Sequence, residues 1–252
     1  MSIYVFDIDG TISTEGKKVH PIICRKLFEL TESNQIIFAS ARPVRDMLPM
    51  LSDELHSSLF IGCNGGMAWK NGQIVLSHVF ENDFVSRILD VMNSLAIPYV
   101  LDGEWNYSIS KKGHPFHEYI RSLSRHEVCE EDIISNGVTK ILILSEHYRD
   151  EILSHTKEDD VSVHTHRSDG FYDFTPKGNN KYRTLSELIG KEKYIAFGND
   201  QNDFIMLREA EISVFIGERA DFKEATYYAS MNYIPTIINY IESKNRTKQE
   251  TL

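Results

Sequence analysis

The chain has 252 residues, 41% of them hydrophobic, and a net charge of −10 from 27 basic and 37 acidic side chains. With no basic run beyond a short tail near Lys244 to Lys248, this balance disfavours binding along a nucleic-acid backbone. No apolar run approaches the ~20 residues needed to span a bilayer, and the length predicts two domains or one domain with a sizeable insertion.

Cys24, Cys63 and Cys129 lack metal-ligand spacing and read as reduced thiols. The apolar stretch at the start is too short for a signal peptide. A cytoplasmic protein is therefore expected.

Residues 3–6, Ile-Tyr-Val-Phe, are β-branched and aromatic and predict a buried parallel strand. Apolar spacing predicts a helix over 21–31, a strand over 35–39 ending at Ser40, and a helix over 46–55. A strand over 59–62 then runs into Asn64-Gly65-Gly66. Strands alternating with helices are the grammar of a parallel sheet covered on both faces.

The rhythm changes near Glu81. A helix over 84–95 precedes adjacent strands over 98–101 and 105–110, and a helix follows near 115–123. A strand over 140–145, a helix over 148–155 and a strand pair over 161–165 and 171–175 complete a smaller α+β module. The first grammar resumes after Lys181, with a helix over 182–188, a strand over 194–197, a helix over 203–209 and a strand over 212–216. A last helix is expected over 236–242, with a frayed polar end.

Four segments carry candidate chemistry, each just after a predicted strand or at a helix start. The first is Asp7-Ile8-Asp9-Gly10-Thr11, at the carboxyl end of a strand, where open α/β sheets place ligands. Carboxylates at i and i+2 lie on one side of an extended chain, unless a turn at Gly10 intervenes. Side by side they repel, so a positive partner is expected, most simply Mg²⁺. A strand ending in an Asp-Gly turn is the plainer reading. The second segment holds Ser40, the third Lys181 with Lys177 four residues earlier, and the fourth is Gly198-Asn199-Asp200-Gln201-Asn202-Asp203. A carboxylate pair, a hydroxyl, an ammonium and an amide/carboxylate cluster are the parts needed to move a phosphoryl group with a hard metal ion. The last run also reads as a turn and helix N-cap.

In this order and spacing the segments resemble the haloacid dehalogenase superfamily of phosphohydrolases, and within it the Cof-like subgroup, whose large cap lies between the second and third motifs. Only 28 residues separate Thr11 from Ser40, whereas the 140 between Ser40 and Lys181 have room for a cap. The resemblance implies a parallel, Rossmann-like α/β core over 1–80 and 177–252, with an inserted α+β cap domain over 81–176. It implies Asp7 as nucleophile, ionised at neutral pH without a base. Asp9 would be the acid for the leaving alkoxide and then the base for water, oriented by Thr11. Ser40 and Lys181 would contact the phosphoryl oxygens, with further donors from the amide of Gly10. Mg²⁺ would be held by Asp7, Asp9 through its main-chain carbonyl, Asn199 and Asp203.

Asn199 departs from the commonest family pattern, which has Asp there. An amide oxygen can ligate Mg²⁺ but adds no charge, and Asp200 is the alternative. Arg42, Asn64 and Asn202 are weaker candidates for the substrate phosphate, with a surface ion pair and a plain turn as the bland readings of the first two. Trp105, Tyr107, His166 and Arg167 in the cap could meet substrate, though packing and solvation explain most such residues. His114 and His117 lack a third ligand.

The implied activity is Mg²⁺-dependent hydrolysis of a small phosphorylated metabolite, especially a sugar phosphate, with neither nucleic acid nor membrane as partner. A phosphotransferase or mutase on the same fold, or a weakly catalytic phosphometabolite-binding protein, is the alternative.

Overall fold

The four residues of β1 (Ile3–Phe6) are all buried, as a strand covered on both faces requires. In the computed structural model, residues 1–14, 16–145, 147–157, 160–165 and 170–250 are described. After β1 come α1 (Pro21–Thr31), β2 (Gln35–Ala39), α2 (Val44–Met47), β3 (Leu59–Gly62), β4 (Met67–Lys70) and β5 (Gln73–Ser77). Next are α3 (Asn82–Ser94), β6 (Tyr99–Asp102), β7 (Tyr107–Ile109), α4 (Pro115–Leu123), α5 (Glu130–Asn136) and β8 (Lys140–Ile143). They are followed by α6 (Arg149–Ser154), β9 (Val161–Thr165), β10 (Tyr172–Pro176), α7 (Lys181–Ile189) and β11 (Tyr194–Gly198). The last are α8 (Phe204–Arg208), β12 (Ile212–Ile216), β13 (Tyr227–Ala229) and α9 (Ile234–Glu250).

The chain forms two compact units. The first comprises Met1–Ala39, Leu48–Leu59 and Ile189–Leu252. Its strands lie in the order β13-β12-β11-β1-β2, and each pair is parallel. β1 is an interior strand between β11 and β2, so Asp7, the next residue, emerges at the carboxyl end of a strand paired on both sides. α1 begins with Pro21 behind His20, whose ring accepts from the Ile22 amide, and it buries Ile23, Cys24, Leu27 and Leu30. Lys26 ties it to Glu242 of α9 at 3.0 Å.

The second unit comprises Ser40–Met47 and Phe60–Leu188. It contains an antiparallel sheet in the order β7-β6-β8-β10-β9. Alternation divides its side chains between two apolar clusters. Tyr99, Leu101, Ile141, Ile143, Tyr172 and Phe174 pack with Phe84, Ile88 and Met92 of α3, while Val100, Leu142 and Tyr107 pack with Ile120 of α4. The sheet is therefore covered by helices on both faces. Among the described residues, no helix is long and apolar enough to cross a membrane.

Several local expectations change. The helix expected over 46–55 breaks into α2 and two 3₁₀ turns, Leu48–Met50 and Asp53–Leu55, because Pro49 lacks an amide donor and its ring clashes with the preceding turn. β4 and β5 form an unexpected antiparallel hairpin. Its turn, Asn71-Gly72, has φ of 50° and 84°, the paired positive values of a type I′ turn. The strand expected over 105–110 is shorter, α5 and β13 were not anticipated, and the expected end of the last helix extends to Glu250. His166 and Arg167 lie outside the described residues.

Candidate active site

In the first unit, the Asp7 amide donates to the Phe197 carbonyl of β11 at 2.9 Å, continuing the bonding between the two strands one residue further. The chain then turns on one acceptor. The amides of Thr11, Ile12 and Ser13 all donate to the Ile8 carbonyl, at 3.2, 3.0 and 3.0 Å. The Ile8 side chain is fully buried. Gly10 has φ of 80°, and a Cβ there would lie 2.1 Å from the Asn199 amide. Glycine is thus required both for the turn and for the approach of the fourth segment.

Asp7 is 4% exposed. Thr11 Oγ1 donates to Asp7 Oδ2 at 2.8 Å, so the hydroxyl expected to orient Asp9 contacts the carboxylate of Asp7. Asp9 Oδ1 accepts from the Gly16 amide at 3.3 Å. Asn199, on the loop after β11, brings its side-chain amide to the same turn. The inner position of that amide lies 2.9 Å from the Asp9 carbonyl oxygen, 3.1 Å from Asp7 Oδ2 and 2.9 Å from Thr11 Oγ1. Oxygen in that position accepts from Thr11, whereas nitrogen donates to all three oxygens; oxygen and nitrogen of an amide are assigned from such networks.

Asp203 is fully buried, and its Oδ2 accepts from the amides of Asn199 and Asp200 at 3.0 and 3.2 Å. It braces the loop that carries Asn199. Asp200 caps the following turn, its Oδ1 accepting from Gln201 at 2.7 Å, and Asn202 lies within the same 3₁₀ turn. Among the described residues, no group of three or more His, Cys, Asp or Glu is gathered as a metal ion would need. The oxygens that do converge are Asp7 Oδ2, the Asp9 carbonyl and the inner atom of Asn199. Octahedral Mg²⁺ with ligands at about 2.0–2.1 Å has neighbouring oxygens about 2.9 Å apart. The separations of 2.9 and 3.1 Å match that edge, so these residues fit such an ion.

In the second unit, Ser40 is buried and its amide donates to Ile61 at 2.9 Å. Its Oγ accepts from the Arg42 amide at 3.1 Å, and its carbonyl accepts from the Asn64 amide at 3.1 Å. The Arg42 guanidinium reaches Tyr119 Oη at 3.5 Å. Cys63, Asn64 and Gly65 have successive positive φ of 54°, 52° and 93°. Asn64 is buried and its Nδ2 donates to Asp173 at 3.2 Å, so it is more than a turn residue, and its amide is directed at a carboxylate. Thr184 Oγ1 of α7 donates to the Gly65 carbonyl at 2.6 Å. Lys181 starts that helix and is 1% exposed, whereas Lys177 is exposed.

The sequence reading missed a buried ionic cluster around the Ser40 loop. Arg45 pairs with Asp102 and with Asp46, at 3.5 Å from the latter. Lys140 lies 3.2 Å from Asp102 and 3.9 Å from Asp173, and donates to the Ala41 carbonyl at 3.1 Å. Burial pushes the Asp102 carboxyl up, but Lys140 and Arg45 outweigh it and hold the group below the usual carboxylate range. Burial likewise lowers Lys140, and Asp173 and Asp102 reverse the sign. For Asp46 burial wins over Arg45 and raises its pKa. A Lys and two Asp within otherwise apolar strands were the available signal.

The cap candidates have structural partners. Tyr107 lies beneath the Arg45 guanidinium at 4.9 Å and donates to the Ser124 carbonyl at 3.0 Å. Trp105 stacks on Trp69 at 6.3 Å and donates to His126 at 3.2 Å. His114 caps α4 by accepting from Phe116 at 3.2 Å, and His117 Nε2 meets the Tyr99 carbonyl at 3.1 Å.

The fold has solved counterparts. One is a subclass IIB sugar phosphatase of the haloacid dehalogenase superfamily, with TM-score 0.76, 20% identity and coverage of 96% of this chain and 99% of that one. A haloacid dehalogenase-like hydrolase from Bacteroides thetaiotaomicron gives 0.81 at 20% identity, covering 95% and 99%. A protein from Thermotoga maritima gives 0.80 at 20%, covering 96% and 97%. No curated protein matches the sequence. At such identity these likenesses establish the fold alone, as the order of the four segments implied. A family model for haloacid dehalogenase-like hydrolases, however, matches the sequence itself over residues 4–232, from β1 to the turn before α9, and the chain belongs to that family.

Proposed function

We propose that this hydrolase is a Mg²⁺-dependent phosphomonoesterase that uses Asp7 as its nucleophile. The observation that carries the reading is the placement of Asp7: a nearly buried residue at the end of an interior parallel strand, its carboxylate held by Thr11 at 2.8 Å. The new bond joins the Asp7 carboxylate to phosphorus while the ester P–O bond breaks, and Asp9 supplies the proton to the departing alkoxide. Asp9, now a carboxylate, accepts a proton from the water that cleaves the aspartyl-phosphate. Ser40 and Lys181 supply a hydroxyl donor and a positive charge for the phosphoryl oxygens. Asp7, the Asp9 carbonyl and Asn199 would hold Mg²⁺, which would supply charge neutralisation on the phosphoryl group. Asp203 acts one step back, through the loop of Asn199.

The substrate class is a small phosphorylated metabolite, with a sugar phosphate favoured because one neighbour of the same fold is a sugar phosphatase. A core over 1–80 and 177–252, a cap over 81–176 and a cytoplasmic setting complete the proposal. The test is phosphate release from a panel of sugar phosphates and other phosphometabolites, with Mg²⁺ or with chelator, beside Asp7→Asn. Release that needs Mg²⁺ and disappears in Asp7→Asn is expected. Release that persists in Asp7→Asn would overturn the assignment of the nucleophile, and no release from any compound would overturn the hydrolase reading.

A further inference from the structure

The Asn199 amide faces a proton-counting constraint. Its inner atom lies 2.9–3.1 Å from three oxygens, the Asp9 carbonyl, Asp7 Oδ2 and Thr11 Oγ1. Thr11 has one hydroxyl proton, and Asp7 Oδ2, at 2.8 Å, competes for it. With nitrogen inward the account closes. Thr11 donates to Asp7 and accepts from Asn199, and the two amide protons are shared among three acceptors. With oxygen inward, Oδ1 faces a carbonyl and a carboxylate that can donate nothing. One Thr11 proton cannot serve both Oδ1 and Asp7, so Oδ1 meets the Asp9 carbonyl and Asp7 Oδ2 with no proton between them. That arrangement is disfavoured unless a cation sits among them, and the oxygen separations are those of an octahedral ion.

We propose that Asn199 is a metal-coupled amide switch: its nitrogen holds the nucleophile loop together without the ion, and its oxygen turns inward when the ion binds. The inference rests on the proposed metal role of this loop. The swap is a rotation about the terminal side-chain bond, a broad two-fold torsion, and the loop backbone stays fixed because Asp203 holds the amides of Asn199 and Asp200. Asn199 is then a positioning residue in one state and a neutral ligand in the other. Metal binding competes with an internal donor, which a carboxylate at this position would not provide.

The test compares the full chain with Asn199→Asp. Mg²⁺ alone is titrated while melting temperature and the side-chain ¹⁵N amide resonances of labelled asparagine are followed, the Asn199 pair being assigned by its loss in the variant. Mg²⁺ should move the Asn199 resonances and speed their hydrogen exchange over the concentration range that raises the melting temperature. Asn199→Asp should bind Mg²⁺ at least about tenfold more tightly and melt lower than the parent in chelator. Mg²⁺ that stabilises the parent without moving those resonances would overturn the switch, as would an Asn199→Asp protein that binds no tighter or is not destabilised in chelator. Phosphate release is followed separately. Failure of the amide test with Asp7-dependent release intact removes the switch alone, whereas a responding amide without any turnover removes the phosphatase reading alone.

Discussion

Replacing Lys140 with Met keeps the length and bulk of the side chain and removes its charge from a buried ionic cluster. Asp46, Asp102 and Asp173 surround Arg45 and Lys140, and the Arg42 guanidinium also acts on Asp46. The substitution removes one positive charge and the donor to the Ala41 carbonyl. At an effective dielectric of about 20, attractions across 3.2 and 3.9 Å amount to about 5 and 4 kcal/mol. Release of the buried ammonium from its desolvation penalty returns several kcal/mol, and breaking a buried pair by removing one partner costs about 3–5 kcal/mol net. That is a large share of the 5–15 kcal/mol that holds a typical domain together, and for a chain of this size it lowers the melting temperature by about 6–20 °C. Urea and thermal unfolding of Lys140→Met, Asp173→Asn and the double variant form the assay. The double variant, which also neutralises the carboxylate that Lys140 faced, should recover about 1 kcal/mol or more beyond additivity. A Lys140→Met loss under about 1 kcal/mol, the value of an exposed pair, with strict additivity, would refute the reasoning.

Other consequences can be measured on the same material. The Asp102 pKa is depressed in the folded chain, so its contribution is complete above the unfolded carboxylate pKa of about 3.9 and is lost as pH falls through the lower folded value. The gap in melting temperature between the parent and Asp102→Asn should stay level from about pH 5 to 8 and close only below about pH 3.9; closure at neutral pH would contradict this. Gly65 and Gly72 both have positive φ, but a Cβ on Gly65 would lie 2.4 Å from the Asn180 carbonyl whereas nothing lies within 4 Å at Gly72. Gly72→Ala should cost about 1–2 kcal/mol of backbone strain and Gly65→Ala distinctly more in urea unfolding, and equal losses would show that the contact is irrelevant. Thr11→Val removes the donor to Asp7, a bond to a charged group worth about 1.5–3 kcal/mol, so kcat for phosphate release should fall about 10- to 150-fold. An unchanged kcat would mean that Thr11 does not hold the reactive carboxylate.

Much of the first unit was legible because its signals are local. The apolar runs at β1, β2 and β12 match the expected strands, and α1 opens with a proline, Pro21. The approach of Asn199 to Gly10 was implicit in the order of motifs but not in any spacing, since 188 positions separate Thr11 from Asn199. The ionic cluster was harder to see. Asp102, Lys140 and Asp173 each terminate or interrupt an apolar strand, and a buried charge in such a run needs a partner. Which partner it finds depends on the register of β6, β8 and β10, where Asp102 stands opposite Lys140, and a single sequence does not display that register. Asn64 shows the same limit: its glycine-rich context announced a turn, but its bond to Asp173 is a long-range contact.

The two loops that the proposed chemistry needs are held by different physics. Three backbone amides on one carbonyl, a threonine hydroxyl and a carboxamide fix the loop of Asp7; apart from Asp7 itself these groups are neutral and do not titrate near physiological pH. The loop of Ser40 is anchored through charges. Lys140 holds the Ala41 carbonyl, Arg45 holds Asp102, and Asp173 holds Asn64, whose amide in turn donates to the Ser40 carbonyl. Each of these anchors is itself nearly fully buried, so salt screens them little, while loss of one partner leaves a charge with no water to compensate it. Substitutions in the cluster should therefore act on the proposed phosphate contact of Ser40 while the nucleophile loop keeps its geometry. Damage to the ordered binding of the phosphoryl group, with the Asn199 amide resonances unmoved, is the combination that this separation requires.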